Sequence, residues 1–172
     1  MKLKKFIATT ISEYLNENKY DDNLVYHGGD ISDGIFGNAI FVTKDKKQAE
    51  LYANAHHHNI NSKNIVTTFK IDINNIVSED YAREILYKFN FKSKEDGWNL
   101  NELSFHEIVD ENFTTSLSKN DIKKYISILK SNGATGVEFS DIDITTNRCC
   151  IQNLYIIDLN ILKEINQKDY KK

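Results

Sequence analysis

Residues 23–55, NLVYHGGDISDGIFGNAIFVTKDKKQAELYANA, carry the most distinctive local chemistry in the chain. An apolar pair runs into Tyr26-His27-Gly28-Gly29, and a loop holding Gly34 and Gly37 follows. A second β-branched run, Ala39 to Thr43, leads into a stretch with Ala49, Leu51, Tyr52, Ala53 and Ala55 at helical spacing. Strand, glycine loop, strand, helix is the order these residues predict, with strands at 23–27 and 39–43 and a helix over 44–56. A histidine at a strand end is by default a hydrogen-bonded structural residue. Here two glycines follow it, so no Cβ keeps a ligand from the backbone, whose N–H and C=O suit a planar amide.

The rest of the chain alternates helices and strands without repeat, low-complexity segment or linker. Leu3, Phe6, Ile7, Ile11, Tyr14 and Leu15 predict an N-terminal amphipathic helix over 3–17. We therefore divide the chain into residues 1–20, a helix packed on the domain, and 21–172, the domain itself. "IVTTFKID" (65–72) alternates as a strand, "INNIVSED" turns into a helix at 79–89, and residues 90–104 read as an irregular connector. A weak helix is predicted over 102–112. A strong one at 119–131 buries Ile122, Tyr125, Ile126 and Leu129 and stops at Asn132-Gly133. "TGVEFS" is a short strand, "DIDITTNR" a turn, and "CCIQNLYIID" a strand followed by a tail. The fold class is α+β, mixed α/β in a single domain.

Composition narrows the function. The 172 residues are 40% hydrophobic and 27% charged, as in a globular chain with one core. A net charge of −3 argues against a protein that holds nucleic acid by neutralising phosphates. No apolar run suits a signal peptide or a membrane span, so no membrane partner and a cytoplasmic location are expected. Adjacent Cys149 and Cys150 would point to opposite faces of a strand as thiols. No metal site is expected: His56-His57-His58 cannot converge on one ion from a regular element and reads as a solvated helix end. Lys44, Lys46 and Lys47 read as a solvated face, and the glycines of 28–37 lack the Lys-Ser/Thr of a phosphate loop.

The acidic residues Glu138, Asp141 and Asp143 supply what the opening stretch lacks. Breaking a C–N glycosidic bond to a good leaving group needs a negative charge near the developing oxocarbenium ion more than it needs an acid. Glu138 and Asp141 stand three apart, so only one of them would face a common site from a strand.

In order and spacing, "YHGG", then "GIFGNAIFVTKD", "AELYA" and "NGATGVEF" resemble the ADP-ribosyltransferase fold. The nearest likeness, over about residues 24–160, is to the small phage anti-CRISPR ADP-ribosyltransferases that act on the type I-F surveillance complex. The resemblance implies a split β-sheet core with flanking helices and NAD as the substrate. It implies that His27 bonds a ribose hydroxyl, that the backbone of Gly28 holds the nicotinamide carboxamide with Gly29 also at the cofactor, and that Tyr52 stacks on the nicotinamide ring. Phe36, Gly37 and Asn38 would fold over the dinucleotide, and Asp141 would stabilise the transition state, with Glu138 and Asp143 in reserve. The poly-ADP-ribosylating branch opens its last core strand with Glu, whereas "IQNLYIID" offers Gln152 or Asn153. Transfer of a single ADP-ribose to a host protein, such as a CRISPR effector complex, is therefore the expected activity. The alternatives are an inactive binding inhibitor on the same fold and an NAD-dependent enzyme that modifies nucleic acid.

Overall fold

The computed structural model describes residues 23–31, 35–36, 39–55, 65–95, 97–143 and 148–169. The helix expected at 3–17, the histidines 56–58, Gly37 and Asn38 lie outside them, as do the side chains of Phe36, Asp143, Cys149 and Cys150. Eight strands form one mixed sheet: β1 (Leu24–Gly28), β2 (Ile35–Phe36), β3 (Ala39–Thr43), β4 (Ile65–Ile71), β5 (Ile76–Ser78), β6 (Gly136–Asp143), β7 (Arg148–Ile156) and β8 (Leu162–Asp169). Their order is β5-β6-β7-β3-β1-β4-β8, with β2 paired to β3. All pairs are antiparallel except β5 with β6. Among the described residues four helices accompany them: α1 (Lys46–Ala55), α2 (Glu79–Lys88), α3 (Phe105–Val109) and α4 (Lys119–Ser131). The architecture is a mixed α/β domain.

Three serines start three of the helices by accepting from a backbone N–H one turn in: Ser78 for α2, Ser104 for α3 and Ser118 for α4. On α4, Ile122, Tyr125, Ile126 and Leu129 are buried as their spacing predicts, and Gly133 takes φ 84° after the helix. The Tyr125 hydroxyl donates to the Ala82 carbonyl at 2.7 Å and so ties α4 to α2. Helices α2, α3 and α4 bury one face of β6, β7 and β3 through Val137, Phe139 and Tyr155, with Phe41 partly buried at its border. The other face collects Val25, Ile40, Val42, Phe69, Ile71, Leu154 and Ile156.

Three expectations are corrected. "DIDITTNR" is not wholly a turn: β6 runs on to Asp143 and β7 begins at Arg148. What reads as a tail holds a further strand, since a 3₁₀ turn at Leu159–Ile161 leads into β8, which pairs with β4 along its length. "INNIVSED" contains the three-residue strand β5, parallel to β6. Polar sequence hid two of these strands; β8 exposes Lys163, Glu164 and Asn166 and so lacks an apolar rhythm.

α1 lies on the opposite side of β1 from Val25. Ala49 and Ala53 pack on Tyr26 and Val66, and a Cβ at Gly28 would land on the Ala49 carbonyl. Gly28 is therefore what lets helix and strand close. Gly28→Ala is predicted to cost about 3 kcal/mol, because helix backbone rather than a movable side chain stands in the way. Urea denaturation of the two proteins checks this; equal midpoints would mean that α1 does not press on β1.

Candidate functional site

The site grows from one row across the sheet. Thr43 on β3 pairs with Tyr26 on β1 and with Asn153 on β7, and Asn153 pairs with Phe139 on β6. Residues paired side by side share a face. This is the face carrying Tyr26 and α1, and Asp141, two residues past Phe139, belongs to it as well. Tyr52 is placed one turn along α1 from Ala49, which the sheet fixes. Its hydroxyl meets the Asn153 side chain and feels the Asp141 charge.

The electrostatics follow from burial. Burial pushes the Tyr52 phenol up to about 12, the Asp141 carboxylate adds to the rise, and the Asn153 hydrogen bond opposes it. Tyr52 is thus a neutral hydroxyl at neutral pH. Asn153 is only 6% exposed, and its Oδ1 has no hydrogen-bond partner among the described residues. Leaving such an oxygen unsatisfied costs about 1–3 kcal/mol, a cost that a ligand donor would relieve.

The far wall is α3. His106 Nε2 lies 3.3 Å from Asp110 Oδ2, and Nδ1 lies 3.7 Å from Asp141 Oδ2. The ring stands edge-on to Phe41 at 4.7 Å and to Phe113 at 5.5 Å. Burial opposes ionisation of Asp110, but the His106 ring and the Asn112 N–H outweigh it and hold its carboxyl below the usual range. Neither His106 nor Asp110 figures in the sequence reading. The available signal was a His-Asp pair one helical turn apart, with the histidine inside a Ser-x-x-Glu capping box.

β1 contributes differently. The Gly29 N–H donates to the Ile65 carbonyl at 2.8 Å, so Val25, His27 and Gly29 direct their backbone groups to β4. Tyr26 and Gly28 therefore direct theirs to β3. There the β1–β3 ladder has the single registered pair Tyr26↔Thr43 and stops short of Gly28. His27 Nδ1 instead bonds the Phe41 carbonyl at 2.8 Å. A carbonyl only accepts, so Nδ1 carries the proton.

The sequence candidates separate accordingly. Tyr52 and Asp141 are brought together, with Asn153 between them in the electrostatic sense just described. His27 is not: it shares its face with Val25, away from α1, and is nearly buried at the sheet rim. Glu138 also lies on that opposite face, where it bonds Lys44 at 2.8 Å, as its three-residue offset from Asp141 requires. Gly29 is buried at φ 111°, and the Phe36 backbone pairs with Ala39. Among the described residues no group of three or more His, Cys, Asp or Glu side chains is placed to hold a metal, and no helix is long and apolar enough to cross a membrane.

No protein-family model, no curated protein and no solved structure matches the chain.

The coupling of Tyr52 to its neighbours is measurable. A phenol raised in the folded state adds stability that is complete below about pH 10 and is lost as the pH climbs through about 12. In ultraviolet difference titration against Tyr52→Phe, Tyr52 is predicted to ionise near 12, with Asp141→Asn lowering that midpoint and Asn153→Ala raising it. A midpoint at the ordinary tyrosine value, indifferent to both substitutions, would dissolve the cluster.

Proposed function

We propose that this chain is a mono-ADP-ribosyltransferase that transfers ADP-ribose from NAD to a host protein. One observation carries the reading: Tyr52, Asn153 and Asp141, distant in sequence, converge on one sheet face beside the strand whose Gly28 backbone stands outside the β1–β3 ladder. The resemblance in sequence names the same Gly28, Tyr52 and Asp141. The described strands form one continuous sheet and not the split core that the resemblance implies, and its thinnest junction is the single registered pair between β1 and β3.

Each group has a chemical task in this reading. The Gly28 N–H and C=O pair with the carboxamide of nicotinamide. His27 occupies the Phe41 carbonyl that a continued ladder would give to Gly28, and so keeps that backbone open at the strand end where the ribose would lie. The Tyr52 ring covers nicotinamide, and its neutral hydroxyl avoids repelling Asp141. The Asp141 carboxylate stabilises positive charge on the ribose as the C1′–N bond breaks. The electron pair of that bond leaves with nicotinamide. An acceptor nucleophile forms the new bond at C1′ and gives up its proton. Of Gln152 and Asn153, the two residues that the resemblance offers where a polymerising relative would carry a carboxylate, Asn153 shares the face of Phe139, and an amide there favours transfer of one unit. The same amide is the observation that favours the rival reading, an inhibitor that binds without chemistry.

Incubation of the full chain with biotinylated NAD and host lysate is predicted to label protein, and the label disappears with His27→Ala. In nicotinamide release, Asp141→Ala is predicted to lower kcat by about 100-fold or more. Tyr52→Ala is predicted mainly to raise KM, by about tenfold. Binding of a target without labelling, unchanged by all three substitutions, would establish the inhibitor instead; labelled nucleic acid would establish the third class.

A further inference from the structure

We infer that His106 is the positioning residue for Asp141, clamped between that carboxylate and Asp110. The inference rests on the proposed ADP-ribosyl transfer for its catalytic consequence, and on geometry for its existence.

Local sequence fixes the clamp from three sides. The Ser104 N–H and hydroxyl both donate to Glu107 Oε2 at 2.8 Å, closing a capping box that starts α3. Phe105, Ile108 and Val109 are fully buried, so this five-residue helix has one way to lie, and His106 emerges toward the edge of β6. The Asn112 N–H donates to Asp110 Oδ1 at 2.9 Å, which leaves Oδ2 directed at the imidazole. Phe41 and Phe113 hold the ring plane with their edges. On the other side, strand alternation sets Asp141 on the same face as Phe139, and the pairing of β6 with β7 shifts register just past it, between Asp141 and Ile142.

The charged and titratable groups around the ring are few among the described residues. Asp110 and Glu107 come from α3 and its end, with Glu107 engaged by Ser104. Asp141 comes from β6, and beyond it stands the Tyr52 phenol of α1. The Tyr155 phenol of β7 is buried behind Phe41, and Glu138 is on the far face with Lys44. The ring stands between two carboxylates, 3.3 Å from Asp110 Oδ2 and 3.7 Å from Asp141 Oδ2, and so limits the orientations open to Asp141 on the Tyr52–Asn153 side of the site.

Nicotinamide release from NAD by the full chain tests this. His106→Ala is expected to lower kcat by about 10- to 100-fold while KM for NAD stays within about twofold, the signature of a misaimed charge. His106→Gln, which keeps a side-chain donor, is expected to recover part of the loss. Asp110→Asn is expected to act in the same direction, and the His106→Ala/Asp110→Asn double variant to be no slower than His106→Ala alone. Full activity in a folded His106→Ala protein, a defect confined to KM, or penalties that multiply in the double variant would overturn the assignment. If the wild-type chain turns over no NAD, the enzyme reading fails and the clamp is decided by its ring. Two-bond proton–nitrogen correlations report the surroundings of the two His106 ring nitrogens at one fixed pH. Asp110→Asn is expected to move the Nε2 resonance and Asp141→Asn the Nδ1 resonance, and no change in either would overturn the clamp.

Discussion

His27 Nδ1 donates to the Phe41 carbonyl at the place where a continued ladder would put the N–H of Gly28, and this substitution of side chain for backbone ends the pairing of β1 with β3. β1 is paired along its whole length with β4, so the strand cannot simply peel away. The result is a sheet that is continuous in its backbone yet has one-pair contact at its middle. Gly28 is doubly constrained there. Its missing side chain admits α1, and its peptide groups face the unladdered side. Everything proposed for nicotinamide depends on that backbone staying where the imidazole leaves it.

The chemistry of the opposite wall follows from parity. In a strand the side chains of Glu138 and Asp141 fall on different faces, and the two carboxylates meet different partners: a lysine for one, a histidine and a neighbouring tyrosine for the other. One carboxylate beside a neutral phenol and an amide is a site that can stabilise a developing cation. His106 and Asp110 extend that site by one layer, and α3 is short enough that a capping box and three buried apolar residues decide where they stand.

Much of the fold was legible because periodicity carried it. The strand 39–43 and the helix 119–131 have their predicted bounds, since Ala39, Ile40 and Val42 and the Ile122–Leu129 face are buried as their spacing demands. β8 was not legible: it is an edge strand paired on one side, and its charged residues face outward, which protects the edge but erases the apolar alternation. The turn assigned to Asp141-Ile142-Asp143 failed for a related reason, as acidic residues at a bulged strand end look like a loop. Within the site, Tyr52 and Asp141 were found by motif and are brought together. His27 was grouped with them by motif too, but strand alternation sets it on the other face. His106 stayed hidden because two of its partners, Phe41 and Asp141, come from β3 and β6, and only the folded sheet makes them neighbours.

The central claim is that the Gly28 backbone and the Tyr52–Asn153–Asp141 cluster hold one nicotinamide. Titration of NAD into the isotope-labelled chain, followed through the backbone amide of Gly28 and the side-chain amide of Asn153, tests it most directly. The account predicts that both resonances move together and saturate with one dissociation constant, which Tyr52→Ala weakens. Binding that shifts neither amide, or that shifts one without the other, would contradict it.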